Sequence, residues 1–330
     1  MTEYTDIPRV DVHTHMGGAP DVIANHLRLR ALVREQLGVD VALWVDLGQW
    51  SEPREGEPVG GAGTDLERVA ELSEGRVLCC IHDYNGHRGM RLRPDDLPSL
   101  IDRGFLGYKI WYGPPSRGLD EGEQGYPYVD DPAHEPTFAA MEEHGTVGAS
   151  VHIADPNGPF GDRHEWLPDP VEYWRIIGAW RHVLERHPRL QAVTAHMSWL
   201  CCQDAQLDYL RNLLATFPGL SVDLAATFQY YHLLDSENLR DFMVEYADRI
   251  LFGTDQVALG QDELEMRVER LGYCFRILET DEIVPGGYFS DHPTRGLALP
   301  RDVLEHIYWR NAARIYPRLG AQLRDLGYDS

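Results

Sequence analysis

The chain has 330 residues, an apolar fraction of 43% and a formal net charge of −23 at pH 7. Its length suits a single α/β barrel domain, and its charge argues against nucleic acids and anionic membranes as partners, because phosphates would be repelled. No run of about eighteen apolar residues predicts a membrane span, and the polar start Met1–Asp6 lacks the features of a signal peptide. We therefore expect a cytoplasmic protein that acts on a small-molecule substrate.

The basic and sulfur-containing residues have an unusual distribution. Five cysteines, an odd number without C-x-x-C spacing, indicate a reduced compartment and predict neither a disulfide framework nor a thiolate zinc site. Of the 30 lysine and arginine residues, Lys109 is the only lysine. A general preference for arginine does not explain why this one lysine was kept.

Short apolar or β-branched runs alternate with helical periodicity along the chain. The predicted strands are Arg9–His15, Val39–Leu47, Arg76–His82, Phe105–Trp111, Thr146–Ile153, Leu190–His196, Leu220–Ala226 and Arg249–Thr254. Clear helical stretches are Asp21–Leu37, Pro170–Arg186, Asp204–Thr216 and Ser236–Ala247. Apolar strands separated by helices predict a parallel sheet covered on its outer face. Eight such units are the number that closes a TIM-type (β/α)8 barrel, and a doubly wound open sheet is the alternative.

No break in composition divides the chain, so we expect residues 1–330 to form a single barrel domain. Long loop tracts follow predicted strands and should lie on the C-terminal face of the barrel; they are residues 51–64, 113–136, 155–169 and 256–300. In this fold the loops on that face build the active site, so long insertions there indicate an enzyme.

The first predicted strand ends with two histidines, His13 and His15. Residues i and i+2 of a strand point to the same side, so both imidazoles would face the barrel interior, where a shared cation explains their proximity. Later predicted strands end with His152, His196 and Asp255. Barrel enzymes place their catalytic groups at these strand ends. The convergence of histidines and an aspartate therefore predicts a metal site.

Lys109 lies near the end of the fourth predicted strand. A divalent cation would repel an interior ammonium, whereas a neutral amine takes up CO₂ and becomes a carbamate that bridges two metals. Arginine cannot replace it, because the guanidinium stays protonated. The alternative interpretation is a buried cation paired with a carboxylate.

This ordered set of residues resembles the amidohydrolase superfamily. The segment Ile307–Tyr316, with its Asn311-Ala312 pair, is similar to the terminal helix of the amidohydrolase-2 branch. The resemblance covers essentially the whole chain. It implies a set of metal ligands made of His13, His15, Lys109, His152, His196 and Asp255.

The resemblance also implies roles for these ligands. His13, His15 and Asp255 would hold the more buried metal, and His152 and His196 would hold a second metal. Lys109 would bridge the two ions as a carboxylated lysine. Asp255 would take the proton from the attacking water and pass it to the leaving group. Nitrogen and oxygen ligands suit zinc best and also manganese or iron.

Many members of the amidohydrolase-2 branch look mononuclear, which leaves one or two metals per chain open. In that arrangement His13, His15, His152 and Asp255 bind one metal. His196 is then the base that activates water, and Lys109 is structural or touches the substrate. The same branch includes non-oxidative decarboxylases, lactonases and hydratases.

Aromatic and polar side chains cluster just past the predicted strand ends, which indicates a pocket for a ring-bearing substrate. The residues expected to contact the substrate are Tyr84, Trp111, Trp199, Gln229, Tyr230 and Gln256. His82 ends the third predicted strand and should point toward the mouth of the barrel. It therefore joins Asp255 and His196 as a candidate catalytic residue.

The leading interpretation is a metal-dependent hydrolase that uses a metal-bound hydroxide to cleave a C–N or C–O bond. Its substrate would be a small ring-bearing amide, cyclic amide or lactone. The alternative is a mononuclear metal-dependent lyase, either a non-oxidative decarboxylase or a hydratase. A catalytically silent barrel used for binding or assembly is a third reading, which loss of a ligand would support, and no ligand has been lost. Barrels of this kind often form homo-oligomers, but no stretch of the sequence identifies an interface.

Overall fold

The computed structural model describes residues 4–49, 59–84, 90, 92–112, 127–158, 169–286 and 291–328. Parts of the expected loop tracts, residues 51–58, 113–126, 159–168 and 287–290, lie outside the described residues. The chain divides into two compact units. Unit 1 comprises Met1–Gln49, Thr64–Cys79 and Asp223–Ser330, and unit 2 comprises Trp50–Gly63 and Cys80–Val222.

Strands and helices alternate along much of the chain, and the last three α-helices follow one another. The strands are β1 (Arg9–His15), β2 (Val41–Asp46), β3 (Val77–Cys79), β4 (Ile81–Asp83), β5 (Tyr108–Trp111), β6 (Gly148–His152), β7 (Ala192–Thr194), β8 (Leu220–Asp223), β9 (Ile250–Leu251), β10 (Gln256–Val257), β11 (Ile283–Val284) and β12 (Thr294–Arg295). The α-helices are α1 (Pro20–Leu37), α2 (Leu66–Leu72), α3 (Leu97–Arg103), α4 (Glu135–His144), α5 (Pro170–Arg186), α6 (Asp204–Thr216), α7 (Ser236–Glu245), α8 (Leu264–Glu279), α9 (Arg301–Glu305), α10 (Asn311–Ile315) and α11 (Pro317–Asp325). Among the described residues, no helix has the length and apolar character that crossing a membrane requires.

Each unit contains a parallel sheet. In unit 1 the strand order is β10-β1-β2-β3, and in unit 2 the strands β4 to β8 pair in chain order. All residues of β2 are buried, as expected for a parallel strand covered on both faces. Parallel pairing places the C-terminal ends of neighbouring strands at the same edge, and this brings the polar strand ends of each unit together.

Several predicted strands are too long. The third predicted strand, Arg76–His82, is interrupted at Cys80, so that β3 pairs with β2 and β4 pairs with β5. The sixth ends at Thr194, because the chain turns into left-handed backbone at His196. Helices α5 and α6 have the predicted bounds, and α1 begins one residue earlier than predicted.

The C-terminal segment supports the strand that leads to Asp255. A π-helical turn, His306–Arg310, separates α9 from α10, and its Ile307 carbonyl accepts a hydrogen bond from the backbone N–H of Phe252 at 2.9 Å. Asn311 is buried, and its Nδ2 donates to the carbonyl oxygens of Ala247 and Ile250 at 2.7 and 2.8 Å. Asn311 therefore fixes the start of β9.

Replacing Asn311 by alanine should lower the free energy of unfolding by about 2 to 3 kcal/mol, because two carbonyl groups next to β9 lose their donor. Urea denaturation followed by circular dichroism measures this change. The matched control is Asn212→Ala at an exposed position of α6, which should stay within about 0.5 kcal/mol of the wild type. Equal stability of the two variants would contradict the structural role of Asn311.

Candidate metal centre

Three of the predicted metal ligands lie together in unit 1. Nε2 of His13 is 3.3 Å and Nε2 of His15 is 3.0 Å from the same oxygen, Oδ1 of Asp255. One ligand atom from each of the three residues lies within 4.8 Å of the others. The two imidazole centroids are 5.1 Å apart, as the alternation of side chains along β1 predicts.

The Nδ1 atoms of both histidines are held by oxygen atoms. Nδ1 of His13 is 2.9 Å from Oδ2 of Asp223, the last residue of β8, and Nδ1 of His15 is 2.8 Å from the carbonyl oxygen of Gly48. Nδ1 of His13 is closer to its oxygen partner than Nε2 is to Asp255, so the proton of a neutral His13 belongs on Nδ1. Both nitrogens of His15 face oxygens that only accept, and a cation between Nε2 and Asp255 would place its proton on Nδ1 as well. Each Nε2 then presents a lone pair toward Asp255, which is the arrangement that metal-binding histidines adopt.

This arrangement fits a divalent cation. Two nitrogen lone pairs and a carboxylate oxygen repel one another unless a positive charge lies between them. Two ligand atoms that are each about 2.1 Å from one ion are about 3.0 Å apart in octahedral geometry and about 3.4 Å apart in tetrahedral geometry. The separations of 3.0 and 3.3 Å between the imidazole nitrogens and Asp255 fall in that range.

The backbone around Asp255 has an unusual conformation that holds its carboxylate close to His13 and His15. Asp255 has a φ of 60°, a left-handed conformation that costs a non-glycine residue about 1 to 2 kcal/mol. Its N–H donates to the carbonyl oxygen of His13 at 2.9 Å, which fixes the strained residue against β1. A Cβ at Gly253 would lie 2.9 Å from the Cβ of His13, so only glycine allows this close approach.

A buried aspartate at the end of β2 organises the loop that holds His15. Oδ1 of Asp46 accepts backbone hydrogen bonds from Met16 at 2.9 Å, Gly17 at 3.3 Å and Gly48 at 2.9 Å. Burial raises the pKa of the Asp46 carboxyl, and these hydrogen bonds lower it in part. Asp46 therefore connects the segment after β1 to the carbonyl group that orients His15.

A second buried aspartate joins β1 to the segment before Asp255. Oδ1 of Asp11 accepts from the N–H groups of His13 and Thr254, and Oδ2 accepts from the Thr254 hydroxyl at 2.6 Å. Burial raises the pKa of Asp11 to about 7, against the lowering effect of these hydrogen bonds.

The sequence analysis did not predict the roles of Asp11, Asp46 and Asp223. The sequence feature that could have indicated a role for Asp46 and Asp223 is their position at or near the ends of apolar strands.

Unit 2 brings together two other predicted ligands, His152 and His196. Their ring centroids are 4.8 Å apart and nearly perpendicular. Nε2 of His152 is 3.2 Å from Oδ1 of Asp155, and Trp199 donates to the same nitrogen at 3.5 Å. Burial raises the pKa of Asp155 to about 7, although the nearby His196 lowers it. The indole ring of Trp199 stacks on the His196 ring at 4.5 Å.

The segment that carries His196 and Trp199 is strained. Residues 196 to 199 have φ values of 57°, 51°, 57° and 55°, and none of them is glycine. Each such residue costs about 1 kcal/mol or more, and strain of this kind clusters at functional sites. The left-handed turn folds Trp199 back over His196, which an extended strand through His196 could not do.

Lys109 is buried in unit 2, with a side chain that reaches a neighbouring strand. Its Nζ donates to Oγ of Ser150 at 2.9 Å and lies 5.8 Å from the centroid of the Tyr84 ring. His82 is opposite Lys109 in the strand register, and its ring centroid is 5.3 Å from that of Tyr84. The Trp111 ring lies 5.8 Å from the His152 ring.

The remaining predicted substrate residues belong to unit 1. Gln229 and Tyr230 lie on the short 3-10 helix Phe228–Leu233, where Nε2 of Gln229 donates to the carbonyl oxygen of Ala226 at 2.9 Å and Tyr230 is buried. Gln256 is also buried, and its Nε2 lies 3.0 Å from Nε2 of His26 on α1. The amide of Gln256 is thus engaged with a helix next to the sheet.

His26 is held as a neutral imidazole. Its Nδ1 donates to the carbonyl oxygen of Val22 at 2.9 Å, so its Nε2 accepts from the Gln256 amide. Burial lowers the pKa of His26 from 6.5 to about 4. Between these values the unfolded chain binds a proton that the folded protein does not bind. The stability contributed by neutral His26 is therefore lost as the pH falls from 6.5 to about 4.

Replacing His26 by phenylalanine should flatten the acid side of the stability profile. Over the interval from pH 6.5 to about 4, the wild type should lose about 3 kcal/mol more of its free energy of unfolding than the variant. Urea denaturation at closely spaced pH values measures both profiles. Phenylalanine keeps the ring contact with Trp44, which lies 5.6 Å from His26. Parallel profiles would show that His26 does not cause the acid sensitivity.

Comparison with known proteins identifies the family. Residues 99–318, more than half of the chain, match the Amidohydro_2 family, described as amidohydrolase, so the chain belongs to that family. Enzymes of the amidohydrolase superfamily typically hold a divalent metal. None of the curated protein sequences is a significant match.

Solved structures with low sequence identity share the fold. An uncharacterized TIM-barrel protein from Bordetella bronchiseptica has a TM-score of 0.55 and 17% identity, over 95% of this chain and 100% of that chain. The 4-oxalomesaconate hydratase from Rhodopseudomonas palustris has a TM-score of 0.50 and 16% identity, over 97% of this chain and 98% of that chain. A 2,6-dihydroxybenzoate decarboxylase has a TM-score of 0.50 and 14% identity, over 94% of this chain and 99% of that chain. These likenesses confirm the predicted TIM-type barrel fold.

Proposed function

We propose that this chain is a one-metal hydrolase that cleaves a C–N or C–O bond in a small ring-bearing amide, cyclic amide or lactone. The convergence of His13, His15 and Asp255 on one point, with both Nδ1 atoms held by oxygen, carries the proposal. These three residues would hold a divalent cation, with zinc the most suitable, and the cation would lower the pKa of bound water to about 7 and so make a nucleophile available at neutral pH.

The three proposed ligands differ in their access to solvent. The side chain of His13 is fully buried, whereas 14% of the His15 side chain and 33% of the Asp255 side chain are exposed. Substrate and water therefore reach this cluster at the Asp255 carboxylate. Oδ1 of Asp255 faces the imidazoles, and we assign to Oδ2 the transfer of a proton from water to the leaving group.

The proposal also assigns roles to residues of unit 2. His196, which stacks on Trp199, is proposed as an acid–base residue, with His82 as a further candidate. Lys109, whose Nζ donates to Ser150, is proposed to act as an amine and not as a bridging carbamate, because a centre with one metal needs no bridging ligand. The aromatic rings of Tyr84, Trp111 and Trp199 supply flat apolar surface that suits a ring-bearing substrate.

The metal content of purified protein tests the one-metal proposal. After growth with added zinc, manganese and bicarbonate, the wild type should contain about one divalent metal per chain, as measured by elemental analysis. His13→Asn should lose most of that metal, because it removes a ligand whose Nε2 is 3.3 Å from Asp255. Lys109→Met should keep it, since methionine fills the buried site without a carbamate.

The matched control is His144→Asn, which changes an exposed histidine at the end of α4. It should keep the wild-type metal content. About two metals per chain, with one of them lost in Lys109→Met, would replace the one-metal centre with a carbamate-bridged pair. A folded wild type that holds no divalent metal would refute the proposal.

A lyase that acts on a carboxylic acid is the second candidate. In the lyase, the buried Lys109 side chain, fixed by Ser150, would be protonated and would offer a positive charge to a substrate carboxylate. The chain also resembles the structures of a 4-oxalomesaconate hydratase and a 2,6-dihydroxybenzoate decarboxylase. A decarboxylase would release CO₂, and a hydratase would add water to a double bond without cleaving a C–N or C–O bond.

Product analysis distinguishes these reactions. Amides, cyclic imides, lactones and aromatic acids are incubated with the enzyme in water labelled with oxygen-18, and the products are examined by mass spectrometry. A hydrolase should place the label in the new carboxylate, and Asp255→Asn should lower this activity at least 100-fold. The His144→Asn variant should retain it. Release of CO₂, or label in an alcohol without bond cleavage, would instead establish the lyase.

A further inference from the structure

We propose that Asp223 is a positioning residue that fixes His13 in its Nδ1–H tautomer and strengthens the binding of metal by Nε2. Oδ2 of Asp223 is 2.9 Å from Nδ1 of His13, and both side chains are fully buried. Nε2 of His13 lies farther from its own carboxylate neighbour, at 3.3 Å from Oδ1 of Asp255, so the shorter contact with Asp223 selects the tautomer. The effect on metal binding rests on the proposed function.

The Asp223 carboxylate is itself held in place. Its Oδ1 accepts a hydrogen bond from the backbone N–H of Ala225 at 3.1 Å, while Oδ2 faces His13. Two oxygens with different partners fix the rotation of the carboxylate. The imidazole of His13 is therefore oriented by a group that cannot turn without losing a buried hydrogen bond.

The Nδ1 atoms of the two histidines of β1 have hydrogen-bond acceptors of different strength. A charged carboxylate holds His13, whereas the neutral carbonyl of Gly48 holds His15. A hydrogen bond to a charged acceptor is roughly twice as strong as one to a neutral acceptor, and it raises the basicity of the opposite ring nitrogen. His13 should consequently be the stronger of the two imidazole ligands, and Asp223 should determine much of the affinity of the centre.

The substitution Asp223→Asn tests the effect on metal. Asparagine keeps the size of the side chain and an oxygen that accepts a hydrogen bond, but it removes the charge. The zinc affinity of the metal-free protein, measured by competition with a chromophoric chelator, should fall 10- to 100-fold. The matched control, Asp235→Asn, changes the N-cap of α7, where asparagine caps equally well, and should bind zinc like the wild type.

Nuclear magnetic resonance of the wild type tests the tautomer without a substitution at Asp223. In metal-free protein labelled with ¹⁵N-histidine at alkaline pH, His13 should carry its proton on Nδ1, with its signals assigned by comparison with His13→Gln. A proton on Nε2 would overturn the inference, and so would an Asp223→Asn variant that binds zinc as tightly as the wild type. If the wild type has the Nδ1–H tautomer but does not bind zinc, Asp223 still orients the His13 ring, and the proposed function is refuted.

Discussion

The hydrogen bonds on the Nδ1 atoms of His13 and His15 determine how the two imidazole rings of the candidate metal centre are oriented. An imidazole that is free to rotate presents either nitrogen, and two such rings on one strand do not define a metal site. Here a carboxylate and a backbone carbonyl select one orientation for each ring. The orientation of the two rings thus depends on the Asp223 carboxylate at the end of β8 and on the Gly48 carbonyl that follows β2.

Buried acids give this centre its electrostatic character. Asp11 and Asp46 are almost completely buried, and Asp223 is fully buried. Backbone N–H groups donate to Oδ1 of Asp11 and to Oδ1 of Asp46, and these bonds hold the polypeptide segments next to the candidate ligands. Burying negative charge is unfavourable unless positive charge or dipoles compensate for it, and a divalent cation is often the largest local charge in such a site. The acids therefore favour a cation in the same region.

Local patterns indicated the candidate ligands, but they did not indicate the residues that hold those ligands in place. Alternation along β1 was sufficient to place His13 and His15 on one face, and the ends of apolar strands made Asp255, His152 and His196 candidates. The contact between His13 and Asp223 joins residues 210 positions apart, and no local periodicity encodes such a pair. The left-handed turn after β7 also gave no signal, because its residues include no glycine and the preceding apolar run favours a strand.

The π-helical turn before Asn311 limits how the length of this chain can vary. Each residue added to or removed from a helix rotates all later side chains by about 100° around its axis. A shift of that size would turn the Asn311 amide away from Ala247 and Ile250. The number of residues between α9 and Asn311 is therefore constrained. When related sequences are aligned, a gap placed inside His306–Arg310 would signal a different support for β9, even where the Asn-Ala pair is present.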